Sequence, residues 1–98
     1  MTYGYARVST LDQNLNLQVD ALKKAGCEKV LQEKISALKD RIKLTQLLNL
    51  LQQDDVLIVW KLDRLGRSMR ELVQLVEGFS KKGVKFISLQ DHIDTTTA

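Results

Sequence analysis

A chain of 98 residues, 44% apolar and 28% charged, suffices for one small domain with a single core and is too short for a multidomain assembly. One cysteine, Cys27, and one histidine, His92, exclude a disulfide framework and a Cys/His zinc site. No apolar run approaches the about 20 residues of a membrane span, and MTYGYARVST lacks the apolar core of a signal peptide, so a cytoplasmic domain without membrane contact is expected.

The net charge of +3 is modest, but its location is informative. Lys61, Arg64, Arg67 and Arg70 stand against Asp63 alone within ten residues, and the rest of the chain is neutral. Concentrated charge of this kind suits an anion site better than a generally basic surface. A solvated charge run is the plainer alternative.

Thr2 to Val8 alternates as a strand and feeds the polar turn Ser9, Thr10, Asp12. Leu15, Val19 and Leu22 then recur at helical spacing up to Gly26, and Thr10 to Gln13 fits a T-x-x-Q capping box. Lys29 to Glu33 predicts a short second strand, and Lys34 to Lys39 a loop. Leu44, Leu47, Leu48 and Leu51 mark a second helix. Val56 to Trp60, VLIVW, is a continuous apolar run suited to a central strand covered on both faces. The basic loop LDRLGR follows it. Ser68 to Glu71 is an S-x-x-E capping box, the helix behind it carries Met69, Leu72, Val73, Val76 and Phe79, and Gly83 is placed to end it. Val84 to Leu89 predicts a fourth strand, and Asp91 to Ala98 shows no core-forming pattern.

Strands alternating with helices predict an α/β domain with a central, mostly parallel sheet, order 2-1-3-4, and helices on both faces. Ligands bind such sheets beyond the carboxyl ends of the strands, where the order reverses. The reversal between strands one and three brings Ser9 beside LDRLGR, with Ser36 and Arg41 flanking from the loop after strand two. Arg7, Ser9, Gln13, Gln18, Arg41, Asp63, Arg64 and Arg67 thus converge on one crevice. A hydroxyl among guanidinium groups suits attack on phosphorus, because planar donors that are always protonated meet the charge growing on the non-bridging oxygens. A Ser-His-acid triad is disfavoured by the position of His92, no Walker-type loop occurs, and Asp54, Asp55 and Asp63 make a poor metal set. No cofactor or metal is expected.

Each residue also has a plainer reading. Ser9 or Thr10 fits a helix N-cap, Ser68 a cap alone, Arg7 and Asp63 a structural bridge, and Arg70 a solvated position. Lys61 fits a snorkelling side chain, Trp60 the core, and Cys27 a small packing residue.

The combination changes that weighting. YARVST at Tyr5 to Thr10, DQN at Asp12 to Asn14 and VWKLDRLGRS at Val59 to Ser68 resemble the signature blocks of serine recombinases of the resolvase/invertase type. CEKVLQEKIS at Cys27 to Ser36 and the closing DHIDTTTA are similar as well, so the resemblance spans nearly the entire chain. It implies a catalytic domain that cuts and rejoins DNA at specific sites. By it, Ser9 is the nucleophile that forms a 5′-phosphoserine, Arg7, Arg64 and Arg67 bind and polarise the phosphate, and Asp63 orients the arginines. Gln13 and Gln18 support the nucleophile's helix and the phosphate, and Ser36 and Arg41 complete the site. Departures fall in the loop after strand two, where Ala37 stands in place of the usual glycine and Ile42 where many members have proline.

In the family a long dimerisation helix and a helix-turn-helix domain follow the IDT segment, so residues 1–98 are expected to be a truncated catalytic domain. Weak, nonspecific DNA binding and weak or absent self-association follow, with dimers or tetramers left to the full-length protein. The competing classes are a noncatalytic homologue acting as an interaction module and a small phosphoesterase.

Overall fold

The VLIV run forms the middle of the sheet. In a computed structural model describing residues 1–9, 15–35, 42–62, 65 and 68–95, with backbone only at Ser9, Leu15, Lys34, Ile35 and Lys43, the elements alternate as expected. They are β1 Thr2–Ser9, α1 Leu15–Lys24, β2 Lys29–Ile35, α2 Ile42–Leu50, β3 Val56–Val59, α3 Met69–Lys82, β4 Lys85–Ser88 and β5 Ile93–Asp94. The sheet order is β2-β1-β3-β4-β5; β1, β2, β3 and β4 pair in parallel, and β5 pairs antiparallel with β4.

Strand alternation divides the core into two layers. Tyr5, Leu57, Val59 and Phe86 pack with Leu44, Leu47 and Leu51, from α2 and the residue that follows it, and with Phe79 of α3. Ala6 and Ile58 face the other way, onto Val19 and Leu22 of α1. Between α3 and β4 the Phe79 and Phe86 rings stack with centroids 5.7 Å apart. Helices therefore cover both faces, as the two-sided apolar run of β3 requires.

The ends of α3 obey their sequence signals. Ser68 accepts a hydrogen bond from the Glu71 N–H at 3.2 Å, and Gly83 closes the helix in the left-handed region with φ 79°. The capping box expected at Thr10 to Gln13 lies outside the described residues.

The expected ends of β1, β3 and β4 shift by one residue each, and two larger differences stand out. β2 runs on to Ile35, because β1 continues beside it as far as Ser9. The segment after Asp91 is not patternless. Thr95 N–H donates to the Phe86 carbonyl at 2.9 Å and its hydroxyl accepts from the Phe86 N–H at 2.8 Å, closing a two-residue edge strand. Both β5 residues are exposed, which is why no apolar period announced it.

Gly4 shows how closely α1 lies on the sheet. A Cβ there would meet Cys27 Sγ at 2.8 Å and Leu22 Cβ and Cδ1 at 3.3 Å. Gly4→Ala is expected to lower stability by about 1–3 kcal/mol through overpacking. Because the sulfur is the tightest contact, Cys27→Ala should restore most of the loss in a double-mutant cycle read by urea denaturation; strictly additive effects would contradict this account. Burial pushes the Cys27 thiol up to about 11, so it stays protonated at neutral pH and acts as the packing residue its position suggests.

Candidate active site at the switch point of the sheet

β1 is paired unequally along its two edges. Its ladder with β2 runs from Tyr3 opposite Lys29 to Ser9 opposite Ile35, whereas its ladder with β3 stops at Tyr5 opposite Val59. The Met1 carbonyl accepts from Val56 N–H, so odd-numbered residues of β1 direct their backbone groups toward β3. Arg7 is therefore the first such residue that β3 does not reach.

Gln18 takes the place of the missing strand. Its Oε1 accepts from Arg7 N–H and its Nε2 donates to the Arg7 carbonyl, both at 3.2 Å. The side chain is fully buried on α1. A primary amide presents one acceptor and donors in the arrangement of a peptide group, so one glutamine extends the sheet by one pairing step. Gln18 thus fixes the backbone that carries Arg7, two residues before Ser9.

The other face of this strand end is acidic and phenolic. The Tyr5 hydroxyl donates to Glu33 Oε2 at 2.7 Å in a buried contact, and Glu33 is the register partner of Arg7 on β2. Side chains of paired residues share a face, so a buried carboxylate stands in the row next to the arginine. Neither Tyr5 nor Glu33 was among the sequence-derived candidates. The signal was present in Leu31, Glu33 and Ile35, where an acid interrupts a period-two row of apolar residues.

Beyond β3 the chain enters the basic segment. Lys61 Nζ lies 5.4 Å from the Trp60 ring centroid, a cation–π contact in keeping with a snorkelling lysine. Leu65 N–H donates to the Leu62 carbonyl at 2.9 Å, and the Leu65 side chain is fully buried in the layer with Tyr5 and Val59. Leu65 thereby anchors its own position within the basic segment to the core. Arg70 is solvent-exposed in the first turn of α3, its plainer reading.

The structure brings together Arg7, Gln18 and the backbone of Ser9. Gln13, Ser36, Arg41, Asp63, Arg64 and Arg67 lie outside the described residues. Among the described residues no cluster of His, Cys, Asp or Glu is arranged to hold a metal ion. Asp55 accepts from Gln52 N–H at 2.8 Å and from the terminal amine of Met1 at 3.0 Å, which makes it a structural anchor at the amino end of β3. No helix of the described residues is long and apolar enough to cross a membrane.

Comparison with known proteins places this fold among serine recombinase catalytic domains. Residues 2–98 match the family described as Resolvase, N terminal domain. The chain is 50% identical over 99 residues to the transposon Tn917 resolvase of Enterococcus faecalis, covering 100% of this chain and 54% of that protein. It is 53% identical over 98 residues to the DNA-invertase of Escherichia phage P1, covering 99% of this chain and 53% of that protein. The solved N-terminal catalytic domain of TP901-1 integrase superposes with a TM-score of 0.81 at 32% identity, covering 99% of this chain and 82% of that one. The chain belongs to the resolvase N-terminal domain family. It spans about half the length of the curated relatives it matches.

Proposed function

We propose that this chain is the catalytic domain of a site-specific DNA recombinase that resolves or inverts DNA segments. The observation that carries the reading is the strand end Arg7-Val8-Ser9, locked by Gln18 where β1 and β3 part, in a chain about half identical to a transposon resolvase and a phage invertase. In this mechanism the Ser9 hydroxyl loses its proton and its oxygen bonds to a backbone phosphorus. The P–O3′ bond breaks, the 3′ oxygen leaves as a hydroxyl after taking up a proton, and a 5′-phosphoserine remains. The phosphodiester energy is kept in the new ester, so rejoining needs neither metal nor nucleotide. Arg7, Arg64 and Arg67 meet the charge that develops on the non-bridging oxygens, with Asp63 orienting them, Gln13 supporting the nucleophile's helix and the phosphate, and Ser36 and Arg41 completing the site. The reaction takes place where the DNA is, in the cytoplasm, and dimers or tetramers act together in the full-length protein. Residues 1–98 form the catalytic part; sequence reading and tight association are assigned to regions outside this domain, so these residues alone bind DNA weakly and without sequence preference.

Trapping on a nicked suicide DNA substrate tests this. The natural protein is expected to yield a protein–DNA adduct that survives denaturation and releases phosphoserine on acid hydrolysis. Ser9→Ala should abolish it, and Arg7→Ala should reduce it by two orders of magnitude or more, the scale of losing one charge-stabilising donor, about 10²–10³. An adduct that persists in Ser9→Ala sinks the assignment; turnover of a simple phosphate ester without any adduct would point to a phosphoesterase instead.

A further inference from the structure

The turn between β4 and β5 is tied to the segment leaving β3 by three contacts. Leu89 N–H donates to the Val59 carbonyl at 3.0 Å and Gln90 N–H to the Trp60 carbonyl at 2.9 Å, carrying the ladder past the last paired residues. The third contact is made by a side chain. Leu62 N–H donates to Asp91 Oδ2 at 2.8 Å, and the Ser88 hydroxyl donates to the same oxygen at 2.7 Å. Asp91 is exposed, so core packing does not require it, and its two bonds reach different segments of the chain.

We propose that Asp91 is a positioning residue that fixes the chain at Leu62 and so sets the entry into the arginine-bearing segment 63–67, a role that rests on the recombinase reading of that segment. Leu65 supplies the second fixed point, because its side chain is sealed in the core. Only Asp63 and Arg64 separate the two anchors in sequence, so a displacement of Leu62 is expected to reach Arg64. An ionised carboxylate suits the task, since bonds to a charged acceptor are roughly twice as strong as neutral ones. The Ser88 hydroxyl and then the Leu62 N–H hold the Asp91 carboxyl below the usual carboxylate range, with Lys61 and His92 adding positive charge nearby. A carboxyl lowered on folding stabilises the anchor above its unfolded value and releases it as pH falls through the lowered one. The clamp is therefore intact at neutral pH and opens only in acid.

The test compares Asp91→Ala, Asp91→Asn and Asp55→Ala in the natural protein, by adduct yield on the suicide substrate and by NMR at a temperature where each is folded. Asp91→Ala should lower the adduct rate tenfold or more and shift the Nε–H resonances of Arg64 and Arg67. Asp91→Asn, whose amide oxygen can accept both bonds, should recover most of the rate, and Asp55→Ala, an anchor at the opposite end of β3, should leave both readouts unchanged. In the natural protein the Leu62 amide proton should titrate in acid, and in Asp91→Asn it should not. A natural adduct rate with unmoved arginine resonances in Asp91→Ala, or a Leu62 amide that does not titrate, overturns the proposal. If Asp91→Ala fails to fold, the asparagine variant and the Leu62 titration decide. A natural protein that forms no adduct refutes the recombinase reading instead, while the NMR arms still judge Asp91.

Discussion

Gln18→Leu is expected to destabilise the domain by about 2–4 kcal/mol and to remove adduct formation almost completely. Leucine fills a similar volume and restores apolar packing on α1, but it leaves the Arg7 N–H and carbonyl without the amide that now pairs both. Losing the partner of a buried backbone group costs about 1–3 kcal/mol, and here two groups of the half-buried Arg7 lose their bonds to Gln18. The chemical loss should exceed the thermodynamic one, because the freed backbone carries Arg7 and leads within two residues to Ser9. Gln18→Glu separates the effects. A carboxylate can accept from the Arg7 N–H but opposes the Arg7 carbonyl, so burial and this repulsion raise its folded value above the unfolded glutamate value of about 4.3. A raised folded value means the side chain contributes fully below the unfolded value and loses that contribution as pH rises toward the folded one. The stability gap between Gln18→Glu and the natural chain should therefore narrow on acidification, as read by urea denaturation at several pH values. A gap independent of pH would show that the amide pairing with Arg7 is not what Gln18 provides.

Leu65→Ala is the second large effect. The residue is fully buried and packs against Tyr5, Val59 and their neighbours, so truncation should cost about 2–5 kcal/mol, as for other core leucines. Leu47→Ala in α2 empties the same layer at equal burial and serves as the control. If the leucine pins the basic segment, Leu65→Ala should lose adduct rate at least tenfold more than Leu47→Ala at matched fraction folded. Equal losses would reduce Leu65 to an ordinary core contact.

Much of this architecture could be read from the residues. The unbroken VLIVW run announced a strand covered on both faces, Ser68 and Glu71 gave the start of α3, and Gly83 gave its end. The order of the first four strands followed from strand–helix alternation. What escaped was carried by single polar side chains acting across the fold. β5 depends on the Thr95 hydroxyl pairing with Phe86, and both of its residues are exposed, so two residues leave no period. Glu33 looked like a charge on a short strand, because the register that seats it beside Arg7 and under Tyr5 is a tertiary fact. Asp91 fell in a segment without pattern, since a carboxylate bridging Ser88 and Leu62 has no signature in spacing. Gln18 was named for a supporting role, but the mode of support, an amide standing in for a strand, depends on where β3 stops.

The parallel pairing of β1 also constrains how the protein emerges during synthesis. Thr2 cannot meet its partner Val56 until 54 further residues have been made, and the opposite edge of β1 must wait for Lys29 and its successors. At about 5–20 residues per second this leaves the first strand of a nascent chain half-covered for about 3–10 seconds. Tyr3 and Tyr5, which end in the central layer, stay within reach of chaperones and of neighbouring nascent chains throughout that interval.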